Sequence, residues 1–521
     1  MEQNQQTLNQ NCIQSAPTEP TGKNKRKKPK KSKETSLLKN IIYNNFYLVL
    51  LVLVPLITTP YVSRVLQPSG VGVYSYTHSL VTYFTMFASL GTLSYGQREI
   101  ARRRENKAEY SKVFWEIELI TVASSLACLG IWLIFSFIYQ IYTQYLLIFS
   151  LLILSSCFDI SWFYAGLEKF QHTSFINSIF KVLSVILIFF FVQDQTDVDK
   201  YILIYAGSLF LGSLSMWLFL PQNVCRAKID RSSMRKHFQQ TLVYFLPTVA
   251  TSIYMVLDKS LIGIITGQSE LNGYYEQATR IINLAKTVSF MAIVGVVGSR
   301  TSYLYTKENQ SQAKTEIAAY LNVALEMVCM LSVGFCFGIL GTAANLVPMF
   351  FGSGYQPTVY LLYIFSPIIV IIALSFLLGE LYYTPSGRRK NSTVYLLIGA
   401  GVNFVLNLIF IPLLQAYGAA LASVIAELVI TVLFLVKSNQ TLTWQKAGQV
   451  LWKKAVAGGI MLVFLCISYL FTLPPLLLLI AQVTGGAAVY LITLILLRDN
   501  SMKEIWYILK RIFTRKKAKK E

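Results

Sequence analysis

Runs of mostly apolar residues, each about as long as a membrane-crossing helix and parted by short charged breaks, fill nearly the whole sequence. A helix needs about 20 apolar residues to cross a hydrocarbon layer roughly 30 Å thick. Fourteen such runs can be read, at 41–60, 73–95, 115–139, 145–165, 175–192, 201–220, 241–265, 281–304, 317–340, 359–383, 394–414, 416–436, 451–471 and 476–497. Lipid offers no hydrogen-bond partner to a backbone N–H or C=O, so runs of this length must satisfy their own backbone as helices. Only 14% of the residues are charged, against about 25% in an ordinary soluble protein. A string of soluble domains is excluded, and the expected fold is an all-α integral membrane protein of about 14 transmembrane helices.

The net charge of +21 would suit a nucleic-acid ligand if the cations formed one patch. They do not. They gather at the two ends and in alternate breaks, which is the pattern of a topology signal, because cytoplasmic loops are enriched in Lys and Arg. With the first tail inside, the tails and inside loops, counted with the run ends that adjoin them (Arg300, Lys453 and Lys454), hold 40 of the 46 basic residues, and only Arg64, Lys181, Lys200, Lys259, Arg280 and Lys286 fall elsewhere. Both termini are therefore expected in the cytoplasm, and no nucleic-acid partner. Residues 1–36 read as a disordered basic tail able to lie against anionic membrane lipid, too polar for a signal peptide, and 499–521 as a second basic tail. Outside connections are short, with 193–200 acidic and 266–280 among the longest, leaving no room for a large catalytic loop.

Two short echoes suggest an internal repeat of the kind many transporters carry. Gly72-Val73-Tyr74 opens the second run and Gly273-Tyr274-Tyr275 precedes the eighth, while Asn177 and Lys181 in the fifth run match the i, i+4 spacing of Asn403 and Asn407 in the eleventh. In a chain with 31 Tyr such recurrences also arise by chance. The division they suggest is an N-terminal lobe at 37–220, a C-terminal lobe at 221–437 and two added helices at 438–498. Pro55, Pro60, Pro247 and Pro367 mark places where helices can bend or end.

A charge inside a span costs roughly 2.5–3.5 kcal/mol at the helix centre, so such residues usually face a partner or a wet cavity. Arg64, Lys181, Lys259, Arg280 and Lys286 are the candidate cations for a substrate-binding, anion-accepting cavity. Arg presents a planar fork to phosphate oxygens and Lys a mobile point charge. The competing expectation is that Lys259 pairs within the bundle and that Arg64, Arg280 and Lys286 snorkel to head groups. Asp159, Asp258, Glu326, Glu380 and Glu427 are candidate coupling or ion-pair carboxylates, since a buried acid can bind and release a proton or a sodium ion. The three histidines stand far apart, and the sequence holds neither a phosphate-binding Gly-Lys-Ser/Thr loop nor a nucleophile elbow. Neither an enzyme nor a resident cofactor is expected.

Several stretches stand out by their order and spacing. In the first half they are Pro60-Tyr61-Val62-Ser63-Arg64-Val65-Leu66, Gly70-Val71-Gly72-Val73-Tyr74, Tyr95-Gly96-Gln97-Arg98-Glu99-Ile100-Ala101 and Phe158-Asp159-Ile160-Ser161-Trp162-Phe163-Tyr164-Ala165-Gly166-Leu167-Glu168. In the second half they are Leu257-Asp258-Lys259, Gly273-Tyr274-Tyr275-Glu276-Gln277-Ala278, the stretch from Asn403 to Pro412, and that from Gly418 to Glu427. Together they resemble bacterial polysaccharide repeat-unit flippases of the Wzx type, in the superfamily that includes multidrug exporters and lipid II flippases. The long basic N-terminal tail and Gly298-Ser299-Arg300, where a Pro-Arg is common, depart from the pattern. The resemblance implies two pseudo-symmetric six-helix lobes around a central cavity, with the last two helices peripheral. It also implies a bacterial cytoplasmic membrane location and a substrate of undecaprenyl-diphosphate-linked oligosaccharide. That substrate would be delivered outward by alternating access for capsule or exopolysaccharide synthesis, with a polysaccharide polymerase and assembly proteins as partners. The rival readings are a multidrug or small-molecule exporter of the same superfamily and, further off, a multispan polymerase or glycosyltransferase.

Overall fold

A computed structural model describes residues 32–305, 310–438 and 443–517 of the chain, so most of the expected N-terminal tail lies outside the described residues. Every regular element among them is helical. In order they are α1 (Ser32–Ser89), α2 (Thr92–Arg103), α3 (Lys107–Ile138), α4 (Thr143–Phe158), α5 (Ser161–Gly166), α6 (Phe170–Phe191) and α7 (Val198–Met216). The second half holds α8 (Arg231–Thr266), α9 (Ser269–Tyr305), α10 (Gln310–Phe351), α11 (Gln356–Leu378) and α12 (Arg389–Val436). Last come α13 (Trp444–Ser468), α14 (Pro475–Leu496) and α15 (Asn500–Lys517). Among the described residues, nine helices are long and apolar enough to cross a membrane, and the chain is a multi-pass membrane protein.

Two of the longest helices each carry a pair of expected spans joined by a sharp break in place of a loop. In α1 the break is Gln67 (φ 57°, ψ 175°) and in α12 it is Gln415 (φ 54°, ψ −132°). Both are non-glycine residues at positive φ, a conformation that disfavours a Cβ and is held only where packing enforces it. The run expected at 145–165 lies within one membrane-length span, Gln140–Gly166, but its helix is interrupted near the end: Asp159 takes an extended backbone and its carboxylate accepts the Ser161 N–H at 2.9 Å, the local bond by which an Asp competes with the helix ladder. One expectation needs correction. The connection expected at 266–280 is almost entirely helix, because α9 already starts at Ser269, with Gly267 (φ 66°) making the turn.

The chain divides into two compact units, one of Met1–Leu66 with Tyr76–Val256, the other of Gln67–Ser75 with Leu257–Glu521. The first unit packs around an aromatic core in which Phe114 of α3 stacks on Trp162 and meets Phe163 and Trp217 edge-on. Here α2 and α5 touch backbone to ring: a Cβ added at Gly96 would collide with Trp162, and one at Gly166 would meet Ile100 and the Gln97 carbonyl at 2.7–2.8 Å. The sequence stretches around Tyr95 and Phe158 are thus two sides of one contact.

In the second unit the core is built from α8 to α12 and includes Ile262, Ile282, Leu361, Leu362, Ile369 and Ile411. The helices α13 and α14 pack on α10 through Met330, Val333, Ala457, Met461, Leu465 and Tyr490. Their other faces stay bare, with Val463, Leu477 and Val483 exposed, as lipid-facing surface requires.

Candidate functional site

The second unit contains two polar networks on different sides of α8, because consecutive residues of a helix point about 100° apart. Asp258 turns one way and Lys259 the other. Each belongs to an otherwise apolar stretch, and each finds its partners on different elements.

Around Asp258 the partners come from α9 and α12. The Tyr275 and Ser423 hydroxyls both donate to its Oδ2, and the Asn407 amide donates to its Oδ1 at 2.6 Å. Asn407 also donates to Asn403 Oδ1 at 3.0 Å, and Asn403 donates to Ser423 Oγ at 3.3 Å. The i, i+4 spacing of the two asparagines stacks them on one face of α12. All five residues are buried. A carboxylate in such a place is tolerated only when it is hydrogen-bonded, and here it accepts three bonds. One acceptor is left over, since Asn407 Oδ1 is buried with no hydrogen-bond partner among the described residues. Carboxylate, carboxamide and hydroxyl oxygens gathered in this way form the donor set that hard cations prefer.

Around Lys259 the central group is Glu276 of α9. Lys259 Nζ lies 2.6 Å from Glu276 Oε2 and Arg280 Nε 2.8 Å from Oε1, while Ser75 Oγ donates to Oε2 at 2.9 Å. Two of the candidate substrate cations therefore converge on one carboxylate. Ser75 reaches it because the start of the second half of α1 is pressed against α9. A Cβ on Gly72 would overlap the Ser269 carbonyl, and one on Gly273 the Pro68 carbonyl. The two Gly-x-Tyr echoes are the two halves of a single helix crossing, made possible because each contributes a residue without a side chain.

The other candidates lie apart. Lys286 of α9 is close enough to Glu427 of α12 for their charges to interact. Glu326 of α10 is 2.5 Å from Lys454 of α13, which also meets Asp499 at 3.1 Å. Glu380 is exposed on a π turn, Gly379–Tyr383, that follows α11. In the first unit, Arg64 is exposed and Lys181 half-buried, and Asp159 caps the break already described.

Several buried polar groups are not evident in the sequence. Glu276 falls in a stretch expected as an outside connection, although its i, i+4 spacing to Arg280 is a helical pair. Tyr275 and Ser423 carry no signal beyond being polar in apolar surroundings. Glu118 of α3, within the expected run 115–139, is 2% exposed, and neither of its oxygens has a hydrogen-bond partner among the described residues. Its neighbour Glu116 accepts from Ser233 at 2.7 Å and lies 3.3 Å from His237 Nε2.

Comparison with known proteins places this architecture. The family model described as "Polysaccharide biosynthesis protein" matches residues 37–298, just over half the chain. A protein of Escherichia coli named "Putative O-antigen transporter" is 24% identical over 424 residues, covering 78% of this chain and 98% of its own length. Among solved structures, the lipid II flippase MurJ superposes with a TM-score of 0.70 at 17% identity, covering 88% of this chain and 99% of the other. A multidrug resistance transporter of the MATE family does so with 0.58 at 13% identity, covering 76% and 94%. Those two likenesses establish the fold, and the family match goes further. The chain belongs to the polysaccharide biosynthesis protein family, the Wzx-type group of membrane transporters that its motifs resemble.

Proposed function

We propose that the chain flips undecaprenyl-diphosphate-linked oligosaccharide repeat units from the inner to the outer leaflet of a bacterial cytoplasmic membrane. By this reading it works through alternating access and feeds synthesis of capsule or exopolysaccharide. The observation that carries this is the match over nearly the full length of the protein named "Putative O-antigen transporter". The membrane cations support it, because a diphosphate cannot be moved through a low-dielectric layer without partners. Arg64, exposed and able to present two parallel donors, is the residue assigned to the diphosphate. Lys259 and Arg280 are held in place by Glu276 and become available to an anion when it competes for them.

Coupling is assigned to Asp258. Its oxygen cluster would hold a proton or a small alkali cation, with the spare Asn407 acceptor completing the set. Membrane lipid surrounds the chain, and a polysaccharide polymerase with its assembly proteins would consume the product. A multidrug exporter is the alternative, supported by fold alone.

The test is genetic. A strain lacking the gene should lose surface polysaccharide and accumulate the lipid-linked repeat unit, and the gene should restore both. Restoration by Arg64→Ala at full level, with the variant stably inserted, would remove Arg64 from the site. Unchanged polysaccharide in the deletion strain would defeat the proposal.

A further inference from the structure

The end of the chain does something the transport site does not require. After α14 the chain turns through Arg498 (φ 49°) and enters α15. This elbow is locked from three sides. Asp499, 3% exposed, accepts the Ser501 N–H at 3.0 Å and so caps the new helix. It also takes two bonds, each 3.1 Å, from Lys454 of α13. Lys454 is wholly buried and shared with Glu326 of α10, while Lys453 donates to the Leu497 carbonyl at 3.0 Å. A buried cation bound by two carboxylates on different elements fixes geometry more than it adds stability.

What the elbow presents is a two-faced helix. Met502 and Ile505 pack against the cluster formed by α10, α13 and α14. One residue further, Trp506 is 71% and Tyr507 63% exposed. The same 18 residues contain Lys503, Lys510, Arg511, Arg515, Lys516 and Lys517 against a single acid, Glu504. Trp and Tyr prefer the level of lipid head groups. A basic amphipathic helix of this kind lies in the interface plane, drawn by anionic lipid at about 1 kcal/mol per Lys or Arg near the surface.

We infer that α15 is a lipid-binding foot, held at a set angle by the Lys454, Glu326 and Asp499 triad and docked on the anionic head groups beside the last span. The chemistry recognised is the acidic phosphate of a bilayer lipid. Charge complementarity and the exposed Trp-Tyr pair select it over a soluble protein.

The experiment is hydrogen exchange by mass spectrometry on the full chain in nanodiscs of phosphatidylcholine alone or mixed with phosphatidylglycerol. Amides of α15 should exchange at least about tenfold more slowly with the anionic lipid, as two or more docked cations would give. Amides of α14 serve as the unchanged control. In the combined variant Lys510→Gln, Arg511→Gln and Arg515→Gln the difference should vanish. Equal exchange in both bilayers overturns the inference, as does slowing that survives in the variant. Exchange that is fast in both and slows only when cell extract is added would mean a protein partner and overturn it too.

Discussion

Glu276 accepts Ser75, Lys259 and Arg280 at once, so removing it leaves two half-buried cations facing each other. Glu276→Ala should destabilise the protein by about 3 kcal/mol, the cost of breaking a buried ion pair from one side. Thermal unfolding in detergent checks this, and a melting temperature equal to that of the parent would contradict it. At the other end of the pH scale, Asp197 is held low, to about 2, by Lys200 and by the N–H groups of Gln193 and Asp194. A depressed carboxylate stabilises above its unfolded value, about pH 4, and that contribution is lost as the pH falls towards the folded value. The melting-temperature gap between parent and Asp197→Asn should therefore be constant from about pH 7 to 5 and narrow below about pH 4. At this scale the sequence is half informative. An acid or base inside an apolar run announces that it needs a partner, as Asp258 and Lys259 do, but the partner's identity depends on which helices meet. Ser423 and Tyr275 are too common in type to be singled out beforehand.

At the level of elements, the helix crossing at Gly72 and Gly273 carries a sharp steric expectation. In Gly72→Ala or Gly273→Ala the new methyl would enter space held by a backbone carbonyl, and backbone cannot swing aside as a flexible side chain can. Each should cost about 1–3 kcal/mol, the range for overpacking a filled site. Ala at Gly130, inside α3 where a Cβ meets nothing within 4 Å, should not destabilise and should gain up to about 1 kcal/mol of helix propensity; equal behaviour of all three would contradict the crossing. The helices themselves are legible because about 20 apolar residues in a row leave the backbone no other way to pair. The breaks are less so. Gln67 and Gln415 turn the chain with residues that carry no turn preference, and the start of α9 at Ser269 hides in a polar stretch that composition alone assigns to a loop.

For the whole molecule, family membership and the curated relative point to a glycan flippase, and the membrane cations are the reason for proposing an anionic, lipid-linked substrate. The charge distribution that suggests both ends inside is a property of the entire sequence and can be read without the fold. The pairing of cations with carboxylates emerges only once the helices are assembled. The most direct measurement is transport of a radiolabelled undecaprenyl-diphosphate oligosaccharide in proteoliposomes, with outward-exposed label compared between the protein, its Asp258→Asn variant and empty liposomes. Protein-dependent appearance of label is expected, driven by an imposed proton or sodium gradient, with at least a roughly tenfold loss of that gradient dependence in the variant, equivalent to about 1.4 kcal/mol. Label appearing no faster than in empty liposomes, from protein shown to be folded and inserted, would contradict it.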